Sequence, residues 1–202
     1  MRSTLTRTRN ARGQGPRLRD ELVSAARRLA EAAGTTDGLS LRAVAREVGV
    51  APNSVYLHFR DREEIFRAAV AQDYGQLAER LQAAQATGDP FEDLREVARA
   101  YCTFAKDHPA SYRLMTQVVQ AVPEGGPRPK GHPAAVPQSV LLDAIQRCIN
   151  AGARTGADAD LLLAMLWSAL HGFLDLRASK PQREWPPLDD FIEQLVAALL
   201  PR

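Results

Sequence analysis

Cysteine is almost missing from this chain: there are two among 202 residues, Cys102 and Cys148, far apart and each within a helical pattern. There is no CxxC pair and no Cys/His cluster, which argues against a zinc site and a disulfide framework. Both thiols are read as buried and reduced in a cytoplasmic protein, with a redox switch as the alternative. Aromatic residues are only 6% of the chain, so Leu, Ala and Val must fill most of any core. No stretch alternates long enough to mark a strand. No apolar run reaches membrane-spanning length, and the N-terminus carries no apolar signal segment, so no membrane partner is expected. A Gly-rich phosphate loop, an HExxH and a GxSxG are all absent. The four histidines, His58, His108, His132 and His171, lack metal-like spacing. The chain is therefore read as a non-enzyme with no metal and no cofactor.

What is present favours helices. Hydrophobic residues reach 45%, and Ala, Leu, Arg and Glu dominate with few β-branched runs. The expected fold class is all-α. The length suits one mid-sized domain, or a small domain fused to a larger one. Net charge is +2, but residues 1–62 hold 12 basic and 6 acidic side chains against 14 and 18 in the remainder. A basic first third on a mildly acidic body suits a nucleic-acid-binding head joined to a body that does not bind it.

Residues 1–16 are rich in Arg, Thr and Gly without hydrophobic periodicity, and are expected to be a disordered basic arm. Arg2, Arg7, Arg9 and Arg12 suit either phosphate contacts or a solubilising tail. An amphipathic helix is predicted over 17–33, with Leu18, Leu22, Ala25, Ala26, Leu29 and Ala33 inward. Further helices are expected over 39–48, 62–86, 90–107, 109–122, 138–151, 158–177 and 188–200. The Pro/Gly-dense stretch 123–137 is expected to be a loop. Residues 158–177 are apolar nearly all round, so two sides must be covered: one by the core, the other by a subunit interface. Residues 188–200 are a second interface candidate.

Residues 40–62, SLRAVAREVGVAPNSVYLHFRDR, stand apart. Ser40 is placed to cap a short helix and Gly49 to take a positive φ in a tight turn. Pro52 suits the first turn of a second helix, which Phe59 closes, and Asp61 to Glu64 form a capping-box pattern that starts another. This reads as a helix-turn-helix whose second helix enters a DNA major groove. With Val50, Val55 and Phe59 inward, Pro52, Asn53, Ser54, Tyr56, Leu57 and His58 are left nearer the groove. Asn53 suits adenine, and Pro52 or Leu57 a thymine methyl. Ser54, Tyr56 and His58 suit phosphates; partial burial is the alternative for Tyr56 and solvation for His58. Arg42 can reach a base edge, and Arg62 holds the backbone.

The set Leu41-Arg42-x-Val44-Ala45-x-x-Val48-Gly49-Val50, Val55-Tyr56-x-His58-Phe59 and Asp61-Arg62-Glu63-Glu64-Ile65-Phe66 resembles the N-terminal DNA-binding domain of the tetracycline-repressor (TetR) family, over residues 17–75. Trp167 and His171-Gly172 resemble the Trp…His-Gly signature of one C-terminal subtype. Family members often carry Ser or Thr where this chain has Ala51, which cannot cap the second helix. The resemblance implies an all-α homodimer paired through residues 158–177 and 188–200, with a ligand cavity among the middle helices. The expected layout is the arm (1–16), the helix-turn-helix head (17–62) and an effector-binding and dimerising body (63–202). The expected function is a DNA-binding regulator, a repressor of a palindromic double-stranded operator released by a small-molecule effector of unknown identity. The rival is a helical small-molecule-binding protein without specific DNA recognition. Pocket candidates are Tyr101, Phe104, Tyr112, Met115, Met165, Trp167 and His171; Met and aromatic residues at helical spacing are more often the material of a plain core.

Overall fold

A computed structural model describes residues 15–35, 38–117 and 132–201. Its regular structure is α-helical, with no strand among the described residues. In order these are α1 (Gly15–Ala33), α2 (Leu41–Val48), α3 (Pro52–Tyr56), α4 (Arg62–Ala83), α5 (Pro90–Asp107), α6 (Pro109–Gln117), α7 (Ala135–Asn150), α8 (Ala159–Ser179) and α9 (Leu188–Leu199). Two compact units divide the chain, one from residues 1–72 with 113–126, the other from 73–112 with 127–202, each as far as it is described. The basic arm lies outside the described residues except for Gly15 and Pro16, which open α1. The continuation of α6 past 117 and most of the 123–137 loop lie outside them too.

In the first unit, α1 packs on α2 and α2 on α3. The buried row of α1 is Leu22, Val23, Ala25, Ala26 and Ala30. The expected stripe was wider; Leu18 and Leu29 are half-buried and Ala33 is exposed. The 3.6-residue period turns the row through Val23 and Ala30. Leu41, Val44, Ala45, Val55, Phe59, Ile65, Phe66, Ala69 and Val70 complete this core. Arg19 lays its guanidinium 4.9 Å from the centre of the Phe59 ring.

In the second unit α5 is central, packing on α7, α8 and α9. Phe91, Leu94, Val97, Ala98, Tyr101, Phe104 and Ala105 fall at helical spacing along it and are all buried. Asp89 caps α5 by accepting the Phe91 and Glu92 N–H groups at 2.7 and 3.2 Å, with Pro90 in the first turn. Helix α7 starts at Ala135, three residues before the predicted start. Pro137 is no obstacle there, because first-turn N–H groups have no intrahelical acceptor. Arg95 and Arg99 of α5 reach Glu193 and Asp189 of α9 at 2.7 Å each. Trp185, between α8 and α9, holds the connection in place. Its indole N–H donates to the Lys180 carbonyl at 3.0 Å, and its ring meets Phe173 edge-on at 5.7 Å.

Helix α8 differs from expectation. It runs 21 residues and is apolar enough, by length and composition, to cross a membrane. The predicted segment was shorter; Asp158 caps it as a side-chain acceptor and the helix continues through Ala178 and Ser179. Only Leu162, Leu166, Leu170 and Phe173 are buried, a single row at spacings of four, four and three. Leu162 and Leu166 of that row close against Leu94, Ile145, Val196, Leu199 and Leu200 with no room for a water molecule.

Candidate functional site

The helix-turn-helix is built by local chemistry that the sequence carries openly. Ser40 is extended (φ −124, ψ 157) and its hydroxyl oxygen accepts the Ala43 N–H at 3.2 Å. Gly49 takes φ +76, and its N–H and that of Val50 satisfy the Arg46 and Ala45 carbonyls at 3.2 and 2.9 Å. A side chain at 49 would meet nothing within 4 Å, so the requirement for glycine is purely in the backbone. The turn delivers Ala51, which has no side-chain cap bond, and then Pro52 as the first residue of α3. Asp61 Oδ1 accepts the Glu64 N–H at 2.7 Å, and Glu64 Oε2 accepts the Arg60 N–H at 2.8 Å. The reciprocal pair reaches one residue further back than a standard capping box. The Arg60 backbone N–H, then its guanidinium, hold the Glu64 carboxyl below its usual range.

This frame sorts the side chains of α3 into two sides. Val55 and Phe59 are buried. Pro52, Asn53, Tyr56 and Leu57 are exposed, and Ser54 and His58 are half-buried. Tyr56 is 52% exposed and Leu57 84%. On α2, Arg42 and Arg46 are exposed; on α4, Arg62 is half-buried. Val50, expected inward, is only half-buried, leaving Val55 to fill the joint between α2 and α3. Arg28 and Glu47 link α1 to α2 at 3.5 Å. Arg60 went unnoticed in the sequence as a partner of the cap, although a basic residue four before a Glu is the signal for such a pair.

Four of the pocket candidates form one cluster in the second unit. The Trp167 indole N–H donates to the Tyr101 hydroxyl at 3.1 Å, the Tyr101 and Tyr112 hydroxyls lie 3.3 Å apart, and the Tyr112 hydroxyl bonds His171 Nδ1. An indole can only donate. The arrangement that satisfies every hydroxyl hydrogen within the cluster therefore runs from Trp167 through Tyr101 and Tyr112 to His171 Nδ1. Burial pushes both tyrosine hydroxyls above their ordinary pKa, so they stay protonated and keep donating. The Tyr112 and His171 rings lie 5.5 Å apart, those of Trp167 and His171 6.2 Å. Phe104 does not join them: it is buried beside His108, 5.0 Å between ring centres, and under the Arg80 guanidinium. Met165 is an exposed residue of α8, and Met115 is buried in the other compact unit.

Two polar clusters of the second unit lack an obvious sequence signal, because their members lie far apart along the chain. Arg80 of α4 donates to His108 Nε2 at 2.9 Å and lies 3.6 Å from Asp107. Asp93 Oδ1 accepts the Thr87 N–H and hydroxyl at 2.9 and 2.7 Å, and Arg147 lies 3.7 Å from its other oxygen. The Thr87 hydroxyl is the largest influence holding the Asp93 carboxyl below its ordinary value. Neither cysteine is placed to react. Burial pushes the Cys102 thiol up to about 12, and Cys148, buried, bonds the Pro90 carbonyl. Among the described residues, no group of three or more His, Cys, Asp or Glu could hold a metal ion.

Comparison with known proteins agrees with the geometry. Residues 22–69 match the family described as bacterial regulatory proteins, tetR family, and residues 94–199, over half the chain, match the tetracyclin repressor-like C-terminal domain. Among solved structures, a protein of unknown function from Rhodococcus sp. RHA1 is 24% identical, with a TM-score of 0.76 over 97% of each chain. A TetR family transcription regulator from Marinobacter aquaeolei VT8 is 17% identical, with a TM-score of 0.67 over 94% of this chain and 98% of that one. A TetR-family transcriptional regulator from Haemophilus influenzae Rd is 20% identical, with a TM-score of 0.64 over 94% of this chain and all (100%) of the other. At these identities the solved structures speak for the fold, while the two matched segments cover the helix-turn-helix and the C-terminal helices. The chain belongs to the TetR family of transcriptional regulators.

Proposed function

We propose that this regulator is a homodimeric repressor that binds a palindromic operator and is released by a small-molecule effector. One observation carries the reading: a chain with a complete helix-turn-helix also leaves one side of its most apolar helix open. Leu161 and Met165 of α8 are 58% and 44% exposed, and Leu176 is exposed with them. The opposite row of α8 is locked into the core against α5, α7 and α9, so a protein surface suits the open side better than lipid does. A second copy, meeting it through α8 and α9, covers that side. One head alone offers too little area for tight specific binding, and two heads on a two-fold axis read two half-sites.

Within each head, Arg42, Pro52, Asn53, Ser54, Tyr56, Leu57, His58 and Arg62 form the reading surface. Arg42 and Asn53 address base edges, while Ser54, Tyr56, His58 and Arg62 hold phosphates. The functional layout is a basic arm (1–16), a reading head (17–62) and a sensing and pairing body (63–202), working in the cytoplasm. The effector site is the Tyr101–Tyr112–Trp167–His171 cluster, whose ring faces and hydrogen-bonding groups suit a largely apolar ligand with a polar end. Trp167, His171 and Gly172 on one helix support placement in the Trp…His-Gly subtype. An effector must bind the DNA-free form more tightly than the DNA-bound form to release the operator.

The test is footprinting with purified protein on DNA flanking its own gene, with sedimentation alongside. The reading expects a dimer and a protected palindrome whose affinity falls steeply with salt. A folded protein that binds small molecules but protects no sequence would replace it with the rival, a helical ligand-binding protein.

A further inference from the structure

The recognition segment keeps a leucine in water without structural return. Leu57 is 84% exposed, the highest value among the exposed large apolar side chains of the described residues. Val55 and Phe59, on the opposite side, are fully packed, so the head's core does not use it. Leu57 follows α3 directly and keeps helical backbone angles (φ −72, ψ −18), so the helical spacing extends to it. It therefore shares a row with exposed Asn53, four residues earlier and roughly 6 Å away along the axis, less than two base-pair steps of about 3.4 Å. The surroundings suit a polyanion. Residues 50–60 contain no acidic side chain, and Arg42 and Arg46 are exposed on α2.

A leucine side chain has no donor or acceptor. In a groove it contributes only apolar surface, and the apolar feature of the major-groove floor is the thymine 5-methyl group. We propose that Leu57 is a specificity-determining residue that packs on the 5-methyl of one thymine per half-site, within two base-pair steps of the adenine addressed by Asn53. The inference rests on the operator-binding reading above. It makes the preference at that position a matter of one methyl group rather than of hydrogen bonding.

The full-length protein first selects its tightest duplex from a randomised pool. Each thymine of that duplex is then replaced in turn by deoxyuridine, which lacks only the methyl group. At one thymine per half-site the replacement should weaken wild-type binding about fourfold, the effect of burying one methyl-sized group. Leu57→Ala should bind the original duplex more weakly by at least that factor and be indifferent to deoxyuridine at that position. Leu57→Met, which keeps apolar reach, should stay sensitive there. Unchanged thermal melting of both variants separates the effect from misfolding. If Leu57→Ala responds to every replacement as the wild type does, or the wild type responds to none, Leu57 does not read a methyl group. A wild type that selects no duplex at all overturns the operator reading as well, so the two failures are told apart by the first step.

Discussion

Val55 and Tyr56 are neighbours in the chain with opposite duties: one is fully buried in the head and the other is 52% exposed. Substitutions should divide along that line. Phe59→Ala removes a fully buried ring and should destabilise the protein by about 3–5 kcal/mol in denaturant unfolding. Tyr56→Ala should change stability by less than about 0.5 kcal/mol while weakening DNA binding in a gel-shift titration. Equal losses of stability would show that Tyr56 is a packing residue. At Gly49 the cost lies in the backbone, and Gly49→Ala should lower stability by about 1–2 kcal/mol although its methyl group meets nothing. Asp93 adds a pH dependence. Its carboxyl is held below the ordinary value of 3.8, chiefly by Thr87. A depressed carboxylate stabilises the fold above its unfolded pKa and loses that contribution as pH falls through the folded value. Wild type should therefore lose Tm relative to Asp93→Asn only as pH drops below about 4, with no change in their difference between pH 5 and 7. At these positions the sequence is readable when the signal is local. Ser40, Gly49, Pro52, Asp61 and Glu64 act on neighbours within four residues. The bonds of Arg80 with His108 and of Arg147 with Asp93 join helices far apart in the chain, and no local pattern announces them.

At the scale of elements, periodicity locates every described helix but is weaker on which residues of a helix are covered. The α5 row is legible because α7, α8 and α9 surround it and leave one answer. The α1 row is less so: Leu18 and Leu29, apolar and in phase with it, reach only half burial. Helix α8 is where periodicity runs out. An apolar residue at nearly every position carries no phase, so nothing in the sequence says that Leu162, Leu166, Leu170 and Phe173 face the core while Leu161 and Met165 do not. The two rows should respond differently. Leu166→Ala, in the closed apolar contact with Leu94 and Ile145, should cost about 2–5 kcal/mol in denaturant unfolding at any protein concentration. Met165→Asp should leave the folded chain intact by circular dichroism and raise the dimer dissociation constant at least tenfold in sedimentation equilibrium, a change of about 1.4 kcal/mol or more. A variant that dimerises as tightly as wild type would move the interface off this face. The aromatic cluster was half legible. Tyr101, Tyr112, Trp167 and His171 belong together, but only their side-chain directions separate them from Phe104 and Met165.

For the whole molecule, charge and apolar surface are distributed to match the two tasks. The first 62 residues carry twice as many basic as acidic side chains, 12 against 6, while the body is mildly acidic and carries the open side of α8. The proposed dimer reads DNA with two heads and senses with two bodies. Footprinting of the purified protein on its selected duplex tests this most directly. The prediction is a two-fold symmetric footprint with equivalent half-sites about one helical turn, or a small multiple of it, apart, bound by two chains. A single asymmetric half-site occupied by one chain, or no protected sequence, would contradict it.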